Sequence, residues 1–322
     1  MKKILKKVIV FIITLLGVSI TAFLMFQVIP GDSIITKLGM NATPERIEAL
    51  REEYGLNENV VVRYFNWLKG FVTGNGGKSY AYDMDVWKLV MPSLKATIFL
   101  AVYSLFIIVL ISIPLGAFMG YLSGKKKGTV SHGIGSCFDI FNQGIMAVPS
   151  FFLGIIISIA FGLTLNWFIP GRYISYDEDF FGFIGCITPA AVSVAIPKIA
   201  MLSKFVKSSV TGNMKADYVR TAKSKGMSLP GILFKHVLRN ALIPVITVTG
   251  VISTEIFAGS IVVEQVFGIP GLGKILVNSI SSRDYPVVLA AVMYSALIVL
   301  TINLLVDISY VFTDPRIGGK NS

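Results

Sequence analysis

Charged residues are scarce in this chain of 322 residues, of which 15% are charged and 54% are hydrophobic. Ordinary soluble domains contain about 25% charged residues. A soluble fold of this length cannot cover so much apolar surface with so few polar side chains. The composition therefore excludes an ordinary soluble domain and predicts a protein that places most of its apolar surface in lipid.

Histidine and cysteine are also rare, with two of each in the whole chain: His132, His236, Cys137 and Cys186. The sequence contains neither a His-Glu-x-x-His nor a Cys-x-x-Cys motif, so it indicates no common zinc or redox site. It also lacks the Gly-x-Ser-x-Gly elbow of many hydrolases. We therefore expect no catalytic site, no metal site and no bound cofactor in this chain.

One motif has the spacing of a phosphate-binding loop, because Gly268 is followed by Gly273 and Lys274. Ile275 stands where such loops carry the Ser or Thr that holds magnesium, and no β-strand pattern precedes the motif. We interpret it instead as a tight turn that leads into a short helix.

The chain is instead rich in long apolar runs. A hydrocarbon layer of about 30 Å requires about 20 apolar residues in helical form. Five runs meet this length, one of which (241–263) carries a single charge, Glu255, and a shorter one, 181–197, continues as far as residue 203. We predict an all-α, polytopic membrane protein with six transmembrane helices, near residues 8–28, 96–122, 140–169, 181–197, 241–263 and 285–306.

The basic residues predict the orientation of these spans. The net charge is +11, and the charges are interleaved with apolar runs, which favours an anionic membrane surface as their partner rather than nucleic acid. Placing both termini in the cytoplasm puts the densest groups of Lys and Arg inside, including Lys125, Lys126 and Lys127 in a very short loop. The first span is longer than a signal-peptide core and lacks a small-x-small cleavage site, so we expect a retained anchor.

The predicted organisation has four parts. Residues 1–29 form the anchor span, and residues 30–92 form an extracytoplasmic segment with a short amphipathic helix. Thr43, Pro44 and Glu45 predict the start of that helix, and Gly55 predicts its end. Residues 93–313 form a core of five spans, with a cytoplasmic segment at 206–239. Residues 314–322 form a cytoplasmic tail.

Prolines interrupt several of the predicted spans, at Pro114, Pro149, Pro189, Pro197 and Pro244. A proline frees a backbone carbonyl, which must find another partner within lipid. Interruptions of this density are typical of proteins with a moving, water-lined pathway, although kinks also occur in other membrane helices.

The cytoplasmic segment between the fourth and fifth spans has the strongest helix signals. Asn213 can cap a short helix, and Gly226 can end it in the left-handed conformation. Ser228 can cap a second short helix, with Pro230 in its first turn. We expect two short helices joined at a glycine, lying against the inner face of the membrane.

This segment resembles the coupling motif of permeases in binding-protein-dependent ATP-binding-cassette (ABC) importers. Arg220-Thr221-Ala222, three further residues and Gly226 fit the form found in dipeptide and oligopeptide importers, and Ile243-Pro244 fits the downstream pair. Arg220 replaces the Glu of the wider family and the gap to Pro244 is longer, and both departures resemble the peptide branch. Further similar motifs are Ile29-Pro30-Gly31-Asp32, residues 148–154, residues 263–273, Arg283-Asp284-Tyr285-Pro286 and Asp314-Pro315-Arg316.

The resemblance implies the type I ABC importer permease fold and an import function in a bacterial cell membrane. It implies three kinds of protein partner: a second homologous permease subunit, two cytoplasmic ABC ATPase subunits that bind ATP and magnesium, and an extracytoplasmic substrate-binding protein. Membrane lipid is the further partner that the composition predicts. A short helix of this chain would then sit in a groove of an ATPase. The residues implied to couple the subunits are Asp217, Tyr218, Arg220, Thr221, Ala222 and Gly226.

Several alternatives stay open. Nickel and glutathione importers share these motifs, and a secondary carrier or channel is a different class. A carrier should show several membrane carboxylates, whereas Glu255 is the one carboxylate inside a predicted span. Asn142, Gln143 and Glu255 are candidates for lining a pathway. Hydrogen bonding between helices is an equal alternative for Glu255 and the favoured interpretation for Asn142 and Gln143. Asn303 and Asp307 fit the second description better.

Overall fold

The computed structural model describes residues 2–28, 33–39, 42–123 and 130–313. The predicted tail at 314–322, the motif at 29–32 and the basic loop at 125–127 lie outside these ranges. The described part contains helices and no β-strand, as predicted. Its helices are α1 Lys2–Val28, α2 Ser33–Leu38, α3 Pro44–Glu53, α4 Val60–Thr73, α5 Val86–Ser123, α6 Val130–Met146, α7 Ser150–Ile157, α8 Phe180–Asn213, α9 Asp217–Ser224, α10 Leu229–Ile232, α11 Leu238–Phe267, α12 Leu272–Ser281 and α13 Tyr285–Thr313.

Five of these stretches are long and apolar enough to cross a membrane. They are Leu5–Val28, Val86–Ser123, Phe180–Asn213, Leu229–Phe267 and Tyr285–Ile308. The fourth predicted span, which had the shortest uncharged run, is a continuous helix of 34 residues that contains Pro189 and Pro197. The fifth includes the π-helical turn Leu233–Val237, so α10 and α11 form one span.

The predicted third span differs from a straight helix. Two helical pieces, Gly133–Met146 and Ser150–Thr164, meet at an angle of 89°. Pro149 stands at the N-cap of the second piece. Proline has no N–H and disfavours helical backbone at the residue before it, here Val148, so the first helix cannot continue through this point and ends at Met146. The described chain has six spans when this bent pair is counted as one.

The chain divides into two compact units. Met1–Ile98 and Ile269–Leu304 form one, and Phe99–Gly268 with Leu305–Ser322 forms the other. In the first unit, Val86, Val90, Leu272, Val287 and Ala290 form a buried cluster. A second cluster joins α1 to α4 and α13, where Phe23 and Leu289 pack against partly buried aromatic side chains.

Hydrogen bonds within the first unit hold its predicted outer segment together. Ser79 and the backbone N–H groups of Tyr80 and Ala81 donate to the carboxylate of Asp284, which is fully buried. The ammonium group of Lys37 donates to Asp83 at 2.7 Å and to the Tyr54 hydroxyl at 2.6 Å. The loop at 79–85 is therefore attached near one end to the residue that precedes α13 and near the other end to α2.

The predicted short helix of the outer segment is α3, and its ends match the prediction. It begins at Pro44 with Thr43 at the N-cap, and Gly55 follows it with a φ of +64°. The helix α4, which the sequence motifs did not predict, begins after Asn59, whose side chain accepts a hydrogen bond from the N–H of Val61.

In the second unit, α8 is the central helix and packs against α6, α7 and α11. Close packing against α5 depends on Gly116 and Gly120, because a Cβ atom at either position would meet Val206 or Val210 at less than 3 Å. The second and fourth spans therefore approach each other more closely than larger residues would permit.

Candidate functional site

The predicted coupling segment begins where α8 ends. Asn213 is the last residue of α8, and Ala216 is the N-cap of α9 without a side-chain hydrogen bond. The prediction that Asn213 caps this short helix is therefore wrong. The Asn213 side chain is used elsewhere, because its amide donates to the carbonyl of Ser209 at 3.0 Å and its oxygen accepts from the Tyr218 hydroxyl at 3.0 Å.

The helix α9 has two different faces. Val219 and Ala222 are buried, and α10 lies against this helix. Asp217, Arg220 and Thr221 are exposed on the other side, and Tyr218 is half-buried. An exposed acidic residue in the first turn and the basic Lys223 in the last turn both complement the helix dipole. The short helix therefore presents charged groups outward while small and branched apolar side chains fix it to the fifth span.

A glycine ends α9, as predicted. Gly226 has a φ of +81°, a conformation that residues with a side chain adopt only with strain. The N–H of Met227 donates to the carbonyl of Ala222 at 3.3 Å, and the N–H of Gly226 donates to that of Lys223 at 3.0 Å. These two bonds satisfy carbonyls at the end of the helix and turn the chain sharply.

The second predicted short helix starts as expected, but it is not a separate short helix. Ser228 accepts a hydrogen bond from the N–H of Gly231, and Pro230 lies in the first turn. The helix then continues through Leu233–Val237 into the fifth span. Buried apolar residues, Ile232, Leu233 and Val237, extend the periodic pattern without a break. The glycine therefore joins α9 directly to a transmembrane helix.

A basic cleft lies beside the end of α8. Its volume is about 540 Å³, and its lining includes Ser123, Asp139, Lys204, Lys207 and Lys215. Lys207 was predicted to belong to the coupling segment, but it lies within α8 and is buried. Its ammonium group donates to Asp139 at 2.6 Å and to the carbonyl of Gly135 at 2.5 Å. Lys207 therefore ties the fourth span to α6.

Two of the three candidate pathway residues connect helices. Asn142 is buried, and its amide donates to the hydroxyl of Ser203 at 3.4 Å. The side-chain oxygen of Gln143 accepts from Lys204 at 2.8 Å. Both contacts join α6 to α8, which fits the interpretation of these residues as hydrogen-bond partners between helices.

The third candidate, Glu255, forms an ion pair that sequence reasoning did not predict. Its carboxylate accepts from the ammonium group of Lys198, which links α11 to α8. A single Lys in the fourth apolar run and a single Glu in the fifth were the available signal. Because α11 extends to Phe267, it also contains Glu264, which is fully buried, so Glu255 is not the only carboxylate of this helix.

The structure shows no arrangement for metal chemistry in the part of the chain that it describes. No group of three His, Cys, Asp or Glu side chains is placed to hold a metal ion within those residues. Cys137 and Cys186 are free thiols.

Comparison with known proteins identifies the family of this chain. Residues 112–319 match the family described as binding-protein-dependent transport system inner membrane component, and residues 1–101 match its N-terminal membrane component. A Brucella suis protein provisionally named as a peptide transport system permease is 35% identical over 321 residues, with 98% of each chain covered.

Two further relatives come from Bacillus and Lactococcus. The oligopeptide transport system permease protein AppB of Bacillus subtilis is 35% identical, with 98% of each chain covered. The dipeptide transport system permease protein DppB of Lactococcus lactis is 30% identical, with 98% of this chain and 99% of the relative covered. This chain therefore belongs to the family of binding-protein-dependent transport system inner membrane components, and it is a multi-pass membrane permease.

Proposed function

We propose that this chain is one of two pore-forming permease subunits of an ABC importer that moves short peptides into the cytoplasm. Two ATPase subunits would bind and hydrolyse ATP, a second homologous permease would complete the pathway, and an extracytoplasmic binding protein would deliver the peptide. The family match and the peptide-transport names of relatives that cover the whole chain support the class and the substrate.

The proposed mechanism is based on the two different faces of α9. The helix exposes Asp217, Arg220 and Thr221, and it buries Val219 and Ala222. An ATPase could contact the exposed charges through charge-assisted hydrogen bonds. Displacement of the buried face would act on the fifth span through Gly226 and on the fourth span through Asn213. Only an interaction that differs between two states can transmit free energy in this way.

The proposed function also determines how the chain is oriented in the membrane. ATP is cytoplasmic, so α9 and the basic cleft must face the cytoplasm. Both chain termini would then lie inside, with residues 30–92 outside. Labelling single cysteines at Lys223 and at Lys78 from one side of intact cells tests this directly, because the two positions should react from opposite sides.

The decisive test changes the turn that joins α9 to the fifth span. Gly226→Asp forces a residue with a side chain into a φ of +81°, whereas Gly212→Asp adds the same charge where a Cβ atom meets nothing within 4 Å. We expect Gly226→Asp to insert and assemble normally and to hydrolyse ATP without accumulating peptide. Gly212→Asp should retain coupled transport.

Both variants are to be measured in proteoliposomes that contain the complete transporter and its binding protein. Normal accumulation of peptide by Gly226→Asp would refute the proposal that α9 couples ATP hydrolysis to transport. Equal uncoupling by the two variants would show that the added charge, rather than the turn, is responsible. Identification of the ligand that copurifies with the binding protein distinguishes peptides from nickel or glutathione.

A further inference from the structure

A charged pair lies inside the spans of the second unit. The Lys198 ammonium on α8 contacts the Glu255 carboxylate on α11, and 25% and 42% of their side chains, respectively, are exposed. The chain's own helices therefore enclose neither charge.

The pair lies far from both ends of its helices. Lys198 is 18 residues from Phe180 and 15 from Asn213, which corresponds to roughly 27 Å and 22 Å of helix. Glu255 is 12 residues from Phe267, or roughly 18 Å. A hydrocarbon layer is about 30 Å thick. Both side chains are therefore at membrane depth, where exposed charges face water or another protein surface rather than lipid.

The surface of α11 beside Glu255 has room for another molecule. Ala258 and Gly259 are exposed in the next turn, and a Cβ atom added to Gly259 would meet nothing within 4 Å. Exposed Val251 and Val262 lie on the same side of the helix. The carboxylate is therefore bordered by small and apolar groups, which leave its outward side accessible.

We propose that Lys198 and Glu255 form a binding site for the two charged ends of a short peptide. Glu255 would bind the α-ammonium group, and Lys198 would bind the α-carboxylate. This inference rests on the proposed function, because it names the part of the substrate that the permease itself recognises. A zwitterion brings one charge of each sign, so it converts one ion pair into two and leaves no charge unpaired.

The dimensions of the pair suit such an exchange. An extended dipeptide separates its terminal charges by about 7 Å. Lys and Glu have long, flexible side chains, whose charged ends would separate to admit a ligand between them. Without a ligand, the two residues neutralise each other, which lowers the free energy of holding charges at membrane depth.

The test uses end-blocked peptides. Probes are radiolabelled alanyl-phenylalanine, its N-acetyl derivative and its C-terminal amide, with the complete transporter and its binding protein in proteoliposomes. We expect Glu255→Gln to slow uptake of the free dipeptide and of the amide about tenfold, the effect of one charge-assisted hydrogen bond. Uptake of the N-acetyl derivative, which has no ammonium group, should be unchanged relative to wild type.

Lys198→Met should give the reverse pattern. Uptake of the free dipeptide and the N-acetyl derivative should fall, while uptake of the amide should be unchanged. Each ratio compares variant with wild type for one probe, so discrimination by the binding protein cancels. The pattern among the three probes within one variant is also independent of how much protein reaches the membrane.

The control is Asp83→Asn, which makes the same carboxylate-to-amide change in the Lys37 ion pair outside the spans and should treat all three probes alike. Equal slowing of all probes by Glu255→Gln and Lys198→Met would overturn the inference and assign the pair a structural role, such as contact with the second permease. Unchanged uptake of every probe would overturn it as well. If wild-type vesicles accumulate none of the probes, peptide import itself fails, which is a distinguishable result.

Discussion

The Tyr218 hydroxyl donates a hydrogen bond to the side-chain oxygen of Asn213 across 3.0 Å. This bond joins α9 to the last residue of α8, and the amide of Asn213 is held in turn by the carbonyl of Ser209. A force on α9 can therefore reach the fourth span through side chains as well as through the backbone. The fourth span also carries Lys198, so α9 is bonded to a helix that holds one member of the charged pair.

Removal of this bond should weaken coupling without preventing assembly. Tyr218→Phe keeps the ring and loses one hydrogen bond, worth about 1 kcal/mol. We expect transport per ATP hydrolysed to fall a few-fold while ATP hydrolysis persists. Asn213→Ala should have a similar effect, and the double variant should be no worse than either single variant, because both remove the same contact. Additive losses in this double-mutant cycle would show that the bond is not the relevant contact.

Asp284 should determine the stability of the predicted outer segment. Its buried carboxylate accepts three hydrogen bonds from residues 79–81, and Asp284→Ala leaves the Ser79 hydroxyl and the Tyr80 N–H without this acceptor. Buried polar groups in this condition destabilise by about 1–3 kcal/mol each. We expect rapid proteolysis and fast amide exchange at 79–85, with a milder effect for Asp284→Asn, which keeps one oxygen. Unchanged protection in Asp284→Ala would contradict this assignment.

The same segment should weaken at alkaline pH. Burial raises the pKa of Tyr80 to about 12, from an ordinary value of 10.0. Between pH 10 and about 12 the unfolded segment loses this proton and the folded segment keeps it, so stability falls as the pH rises through this window. Burial opposes the charged form of Lys37, but its bonds to Asp83 and Tyr54 outweigh this and raise its pKa, which acts in the same direction.

The measurement is the rate of proteolytic cleavage within 79–85 across this pH range. Tyr80→Phe has no ionisable group, so its cleavage rate should rise less steeply between pH 10 and 12 than that of the wild type. Identical alkaline profiles for the variant and the wild type would exclude Tyr80 as the cause.

Under acid conditions the pH dependence has the opposite sign, because hydrogen bonds from Lys37 and Tyr54 lower the pKa of Asp83. The contribution of Asp83 to stability is present above pH 3.8 and is lost as the pH falls below that value.

Local rules explain most of what the sequence predicted. The spans were predictable because lipid requires each backbone group to be satisfied within a helix. The turn at Gly226 was predictable because glycine readily adopts a positive φ, which here is +81°. The family assignment, made on ordered motifs, is confirmed by matches along the chain. One of those motifs has a structural explanation, since Asp284 binds a loop that lies 203–205 residues earlier.

The errors arise where other residues occupy the polar atoms of a side chain, or where the partners are far apart in the sequence. Asn213 has the chemistry of an N-cap, but Tyr218 and Ser209 occupy its polar atoms. The Lys198–Glu255 pair spans 57 residues, and no periodicity within one helix indicates which charges will meet. Pro149 predicts an interruption, but the angle of 89° depends on the packing of α7 against α8 and α11.

Close helix packing gives the last prediction. A Cβ atom at Gly116 would lie 2.5 Å from the carbonyl oxygen of Ser203 and 2.6 Å from Cβ of Val206, whereas one at Gly144 would meet nothing within 4 Å. The backbone of α8 cannot yield to a methyl group, so Gly116→Ala should destabilise the protein by about 1–3 kcal/mol. Gly144→Ala should be neutral or slightly stabilising, because alanine favours helix.

Thermal unfolding of the two variants in detergent measures this difference. Gly116→Ala should unfold several degrees below the wild type, and Gly144→Ala at or slightly above it. A second substitution, Val206→Ala, removes Cγ1, which would lie 2.9 Å from the new methyl group, but Cβ of residue 206 and the carbonyl of Ser203 stay in place. The double variant Gly116→Ala, Val206→Ala should therefore recover only part of the loss. Equal unfolding temperatures for Gly116→Ala and Gly144→Ala would show that the second and fourth spans are not packed at this distance.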